Sequence, residues 1–399
     1  MDITIHPGKL QGSIHVIPSK SQAHRLLICA AFADNSTELV CPEISRDIEA
    51  TADCLNQMCG NITRTEYGFH ISPYVSIRNQ TPYLNCGESG STLRFLLPIS
   101  GALGLHATFH AEGRLPNRPL SPLWEEMERM GCNLSWVSEN ELQVQGKLRS
   151  GDYHIDGGVS SQFITGLLFA ASLMDGDSTI HITGKAESQP YITMTQKAMS
   201  LFGIHTENYQ IHGGQSYHSP GTITVEGDWS NAAFWLTAKE LGNPITLTNL
   251  DPGSPQGDRA VAQLLSALSE NQTIDAADIP DLVPILSVAA AARKGATFQN
   301  IRRLRLKESD RVASVVAMME ALGASTKETE STLTIDPAPF RGCTIDAAND
   351  HRIAMAAAIA ATIAQGPVTI LGADCVKKSY PRFWDEYDRL GGKYELHIR

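Results

Sequence analysis

Six stretches of this 399-residue chain repeat one pattern: extended residues, a polar corner carrying Gly, Ser or Asp, then a long apolar run. They begin at Ile17, Asn85, Asp156, Val225, Ala276 and Asp346. Their equivalent corner positions are Ser21, Gly90, Ser161, Ser230, Asp281 and His351, spaced by 69, 71, 69, 51 and 70 residues. A near-constant period means that one supersecondary unit is used six times. The period is longer than in solenoid arrays, so closed domains of a few units fit better. Three units precede roughly Glu226 and three follow, which predicts two α/β domains of three units each.

The second repeat shows the order within a unit. Leu93 to Leu103 is apolar almost all round, as a buried helix is. Ala107-Thr-Phe-His is extended. Leu120 to Met130 has helical periodicity, with Gly131 as its stop. Asn133-Leu-Ser-Trp-Val and Glu141-Leu-Gln-Val-Gln read as a hairpin. The predicted unit is therefore strand, buried helix, strand, amphipathic helix, two strands.

The spacing of 51 breaks the pattern. From the end of the second helix to the next corner, four units use 27 to 30 residues, whereas Glu270 to Asp281 offers 11. Two strands and a turn do not fit there. The expectation is a truncated fifth unit, with Thr273-Ile-Asp as one extended link to the Asp281 corner and catalytic residues undisturbed.

Each corner is the start of a buried helix, where free N–H groups and the helix dipole favour anions. Ser, Asp and Gly are also ordinary caps there. Capping does not explain the cations that accompany them: Lys20 and Arg25, Arg94, Arg352. Bound anions would offset their cost. Arg114 and Arg118 precede a helix, Leu304 to Arg311 packs Arg305, Lys307 and Arg311 with Glu308 and Asp310, and Lys377-Lys378 lies near the C-terminus.

The net charge of −11 disfavours general nucleic-acid binding, which draws on clustered Lys and Arg. It leaves room for small anionic substrates in a local basic cleft. No 18-residue apolar run or secretory leader is visible, and the eight cysteines are scattered without zinc spacing. A cytoplasmic chain with reduced thiols is expected.

Five motifs carry a resemblance over about Gly12 to Tyr380. They are Pro18-Ser-Lys-Ser with Arg25, Gly87-Glu-Ser-Gly-Ser-Thr-Leu-Arg94, Val159-Ser-Ser-Gln-Phe, Arg305-Leu-Lys-Glu-Ser-Asp-Arg311 and Asn349-Asp-His-Arg352. Together they resemble the 3-phosphoshikimate 1-carboxyvinyltransferase (5-enolpyruvylshikimate-3-phosphate synthase) family. The resemblance implies two domains of three βαβαββ units closing over a substrate cleft, with residues 20–227 as one domain and 1–19 plus 228–399 as the other. It implies transfer of the enolpyruvyl group of phosphoenolpyruvate to shikimate 3-phosphate by addition and elimination, without metal or organic cofactor, in a monomer.

By the same resemblance Lys20, Ser21, Arg25, Ser160, Ser161, Gln162, Ser188, Tyr191, Asp281 and Lys307 would hold shikimate 3-phosphate. Lys20, Gly90, Arg118, Gln162, Arg311, Arg352 and Lys378 would hold phosphoenolpyruvate. Lys20, Asp281 and Glu308 would be catalytic, with side chains facing a solvated cleft. Glu88, Phe95, Gln189 and Arg303 depart from common family residues; Glu88 and Phe95 are expected beside the phosphoenolpyruvate pocket. Two other readings share this fold. The sister transferase acting on UDP-N-acetylglucosamine typically has Lys-Asn at the first corner and a loop cysteine. Here the corner is Lys20-Ser21, and Glu112 to Pro119 has no cysteine. A non-catalytic anion-binding protein of this fold would have no need of Lys20, Asp281 and Glu308.

Overall fold

The computed structural model describes residues 1–185 and 187–397. The chain divides into two compact units, Lys20–Val225 and Met1–Ser19 with Glu226–Arg399.

In the unit Lys20–Val225, three four-stranded sheets surround three buried helices, Lys20–Ala31, Gly90–Ala102 and Ser161–Ser172. The second sheet is representative. Tyr83–Asn85 runs parallel to Ala107–His110, and the hairpin Cys132–Trp136 with Glu141–Gly146 adds antiparallel. The parallel pair needs a crossover, and the buried helix supplies it. The amphipathic helix Leu123–Arg129 then leads into the hairpin. The first sheet takes its leading strand from the far end of the unit: Thr222–Thr224 pairs parallel with Thr37–Val40.

Close helix contact explains one glycine. A Cβ on Gly166 would lie 2.3 Å from the Arg94 carbonyl oxygen and 2.7 Å from Pro98 Cγ. Helix Ser161–Ser172 therefore sits against the backbone of helix Gly90–Ala102, and only hydrogen fits between them.

The other unit buries helices Trp229–Glu240, Val283–Ala291 and His351–Ala361 in its own core. Asp2–His6 is inserted between Val368–Leu371 and Lys393–His397, completing the sixth sheet. Gly12–His15 pairs parallel with Ile245–Thr248, and these two strands are the whole of the fourth sheet.

That fourth sheet corrects the expected place of the truncation. Between Glu270 and Asp281 there is one strand, Gln272–Asp275, and no hairpin. This strand is more than a link. It pairs in full parallel register with Ala296–Gln299 and leads the fifth sheet, which has all four strands. The missing hairpin belongs to the fourth unit, because the hairpin follows its own unit's second helix. Here that helix, Val261–Ala267, runs directly into the strand of the next unit.

Candidate active site

In the unit Lys20–Val225 the starts of the three buried helices are wired together by side chains. Lys20 opens its helix, and its Nζ donates to Asp47 Oδ2 at 2.8 Å. Arg25, 2% exposed, donates through Nε to Thr195 Oγ1 at 2.8 Å and through Nη2 to the Tyr191 carbonyl at 3.1 Å. Its guanidinium lies 5.2 Å from the Phe95 ring centre. Burial lowers Arg25 to about 10, a value at which it remains a cation at neutral pH. The same contacts join Ser21, whose carbonyl accepts from Arg25 Nη1, to Tyr191 on helix Gln189–Leu201.

The second and third corners meet through Gln162. Its Oε1 accepts from Arg94 Nη1 at 2.8 Å, and its Nε2 donates to Ser91 Oγ at 3.0 Å. Ser160 is the N-cap, accepting from the Gln162 amide, and Ser161 begins the helix. Ser188 is buried ahead of helix Gln189–Leu201 with φ of 58° and makes no side-chain cap bond. Arg118 approaches Gly90 closely: a Cβ on Gly90 would be 2.9 Å from its Nη1.

The four departures from common family residues take definite positions. Phe95 is 1% exposed and packs on Arg25, His24 and Phe169 in the core of its unit. Glu88 reaches toward the loop at Gly113, where an added Cβ would meet its carboxylate at 2.6 Å. Gln189 accepts from the Tyr209 hydroxyl at 2.9 Å. Arg303 lies in the 3-10 helix Arg302–Leu306.

The other unit concentrates charge around Asp281. This residue precedes helix Val283–Ala291 without capping it. Its carboxylate instead accepts from Arg311 Nη1 at 2.8 Å and Arg352 Nη2 at 2.9 Å, with Lys307 Nζ at 3.5 Å. Burial would raise the Asp281 carboxyl, but Arg352, Lys307 and Arg311 hold it well below the usual carboxylate range. Arg311 also donates to Glu308 Oε2 at 2.5 Å and to Asp350 Oδ2 at 2.9 Å. Burial opposes the charge on Arg311, and Asp350, Glu308 and Asp281 together more than restore it. Lys378 donates to the Asn349 carbonyl at 2.9 Å, beside the same corner.

Burial lowers the Lys307 ammonium to about 8, against the pull of Asp281. Asp258 goes the other way: burial, then repulsion from Asp281, raises it to about 7. Among the described residues no group of three or more His, Cys, Asp or Glu side chains is disposed to hold a metal ion.

The three catalytic candidates are partly exposed and ion-paired. Lys20 and Asp281 are only 16% and 17% exposed, and Glu308 22%. Ion pairing draws all three inward.

The family model described as EPSP synthase (3-phosphoshikimate 1-carboxyvinyltransferase) matches residues 5–387. The chain belongs to the EPSP synthase family. It is 37% identical to the 3-phosphoshikimate 1-carboxyvinyltransferase of Clostridium kluyveri, over 98% of both chains. It is 38% identical to that of Clostridium perfringens, again over 98% of both. An Acinetobacter baumannii EPSP synthase structure superposes with a TM-score of 0.78 at 21% identity, covering 99% of this chain and 100% of that one. The enolpyruvyl transferase NikO from Streptomyces tendae gives 0.75 at 15% identity, over 99% and 98%. The EPSP synthase fold is thus shared well beyond recognisable sequence identity. No helix among the described residues is long and apolar enough to cross a membrane.

Sequence reasoning gave this member of the EPSP synthase family no role for Asp47 or Asp258, and placed Arg94 and Asp350 at corners without their partners. Asp47 looks like an ordinary acid in the first turn of helix Arg46–Cys59. Asp258 sits in a loop-like Ser-Pro-Gln-Gly-Asp stretch. Arg94 and Asp350 are visible as corner residues, but their partners are remote in sequence.

Proposed function

We propose that this chain transfers the enolpyruvyl group of phosphoenolpyruvate to the 5-hydroxyl of shikimate 3-phosphate and releases phosphate. The reaction is a step toward chorismate and the aromatic amino acids. The observation that carries the reading is the Asp281 cluster, three cations around one carboxylate, in a chain of the EPSP synthase family.

The shikimate phosphate is bound by Ser160, Ser161, Ser188 and Lys307, with Lys20, Ser21, Arg25, Gln162 and Tyr191 around the rest of that substrate. Asp281 accepts from its hydroxyls. Phosphoenolpyruvate is bound by Lys20, Gly90, Arg118, Gln162, Arg311, Arg352 and Lys378. Arg suits this task because its planar fork grips carboxylate and phosphate bidentately.

In the addition step the 5-oxygen bonds to the enol carbon, its proton passes to a base, and the methylene carbon takes a proton. In the elimination step the bond from that carbon to the phosphate oxygen breaks, and the new methyl group loses a proton. Asp281, Glu308 and Lys20 carry these transfers. While Arg311 and Arg352 hold Asp281, its carboxylate is a weak base. Substrate anions that draw the guanidiniums away raise its basicity at the moment a base is needed.

The chain works as a cytoplasmic monomer without nucleic-acid or membrane partners, a reading supported by its net charge of −11. The deciding experiment mixes purified protein with both substrates and follows phosphate. Release that requires shikimate 3-phosphate is expected. Release driven by UDP-N-acetylglucosamine, or none at all, overturns the assignment.

A further inference from the structure

A buried chain of hydroxyls connects two of the corners. Lys20 and His24 stand one turn apart on helix Lys20–Ala31, and Asp47 and Thr51 one turn apart on helix Arg46–Cys59. They form two rungs: Lys20 Nζ to Asp47 Oδ2 at 2.8 Å, and His24 Nδ1 to Thr51 Oγ1 at 2.7 Å. Thr51 Oγ1 continues to Thr92 Oγ1 at 2.6 Å, and Thr92 Oγ1 to Ser89 Oγ at 2.7 Å. Ser89 is the N-cap of the helix that Gly90 begins. The Asp47 carbonyl lies 3.5 Å from Thr92 Oγ1 and closes the ring.

We propose that His24 is a positioning residue for the transfer: through Thr51 and Thr92 it fixes the Lys20 corner against the Ser89–Gly90 corner. The proposal rests on the reading above that both corners bind phosphoenolpyruvate.

His24, Thr51 and Thr92 are 0% exposed and Ser89 1%, so water does not replace a lost member of the chain. His24 Nε2 is buried and meets no hydrogen-bonding partner among the described residues. A buried acceptor is left unsatisfied more readily than a buried N–H. The proton therefore sits on Nδ1 and is donated to Thr51. Thr51 then donates to Thr92, and Thr92 to Ser89, in one direction along the chain. Burial, with Lys20 and Arg25 on the same helix, keeps the imidazole neutral. Asp47, the acid one turn before Thr51 on the next helix, is engaged by Lys20, and the ring that meets His24 from the third helix is uncharged Phe95, at 6.3 Å. The corner so fixed is tight, with the Gly90 Cβ position 2.9 Å from Arg118 Nη1, so small displacements reach the ligand.

The test compares Thr51→Val, Thr92→Val and His24→Leu with the parent enzyme in steady-state kinetics. Each is expected to raise KM for phosphoenolpyruvate by about tenfold, the effect of one lost positioning contact, with kcat and KM for shikimate 3-phosphate changed by less than about threefold. The double variant His24→Leu with Thr51→Val does no worse than the poorer single, because one chain is broken twice. Thr51→Ser, which keeps the hydroxyl, recovers most of the affinity. Variants with lowered thermal midpoints but parental KM for phosphoenolpyruvate make the chain merely structural and overturn the proposal. Should Thr51→Val fail to fold, histidine-selective NMR of the parent decides: a neutral His24 protonated on Nδ1 is expected at pH 6, and a charged ring or an Nε2 proton overturns it. A parent that releases no phosphate with both substrates overturns the functional reading, and this role with it. Parental kinetics in the variants overturns the role alone.

Discussion

Arg311 donates through Nε to Asp350 at 2.9 Å, with 1% and 0% of the two side chains exposed. Asp350 also accepts from Ser309 Oγ and from the Arg352 amide, so one carboxylate holds two of the three arginines proposed for phosphoenolpyruvate in place. Asp350→Asn keeps the shape and removes the charge. It is expected to lower kcat/KM for phosphoenolpyruvate about 10- to 100-fold and to cost about 3 kcal/mol of stability, as breaking a buried pair does. Kinetics and denaturant titration check both. A variant with parental affinity would show that Glu308 and Asp281 suffice to hold Arg311.

Asp281→Asn and Glu308→Gln should separate chemistry from folding. Both neutral amides fill the same space, and both lower kcat by at least about 100-fold if the carboxylates move protons. Asp281→Asn also leaves Arg311, Arg352 and Lys307 short of a counter-charge. Its thermal midpoint should fall more than that of Glu308→Gln. Lys20→Ala is expected to lower turnover similarly and to leave Asp47 without its Nζ partner. Parental kcat in any of the three removes that residue from the catalytic set.

Gly90→Ala places a methyl group 2.9 Å from Arg118 Nη1 and 3.2 Å from Arg94 Nη1. Both contacts are the far ends of flexible side chains, so the fold yields locally. KM for phosphoenolpyruvate should rise about tenfold or more while the thermal midpoint moves little. An unchanged KM would place phosphoenolpyruvate away from this helix start.

Lys307, lowered to about 8 by burial, is a cation below that pH and neutral above it. If it grips the shikimate phosphate, kcat/KM for shikimate 3-phosphate is flat from about pH 6 to 7.5 and falls above about pH 8. Lys307→Arg, which stays charged, should remove the fall. A parent profile that stays flat to about pH 9.5 would contradict the assignment.

Asp258 is raised to about 7, so the folded chain keeps a proton that the unfolded chain releases at ordinary carboxylate pH. Stability from this group is present at acid pH and is lost as pH rises toward about 7. Asp258→Asn never ionises. Its stability advantage over the parent should grow between about pH 5 and 8, reaching on the order of 1–3 kcal/mol. Thermal melts across that range check it; a gap that does not widen refutes it.

Periodicity alone revealed the repeat, the buried helices and the shortened path before Asp281, because strand, corner and helix signals are local. Corner residues such as Lys20, Arg25 and Arg352 stood out for a similar reason: cations are out of place at a helix start unless something anionic offsets them. What local signals do not carry is partnership. The strand Thr222–Thr224 leads a sheet whose other members lie before residue 72, and Asp2–His6 completes a sheet begun at Cys343. The lost hairpin was legible as a missing length, yet its unit became clear only once Gln272–Asp275 was seen paired with Ala296–Gln299. Asp47, Asp258 and the His24–Thr51–Thr92 chain were invisible for the same cause. Each is an unremarkable residue in its own helix or loop. Its role comes from groups that burial brings within hydrogen-bonding distance, where water no longer competes and a single carboxylate or hydroxyl sets the position or charge of its neighbours.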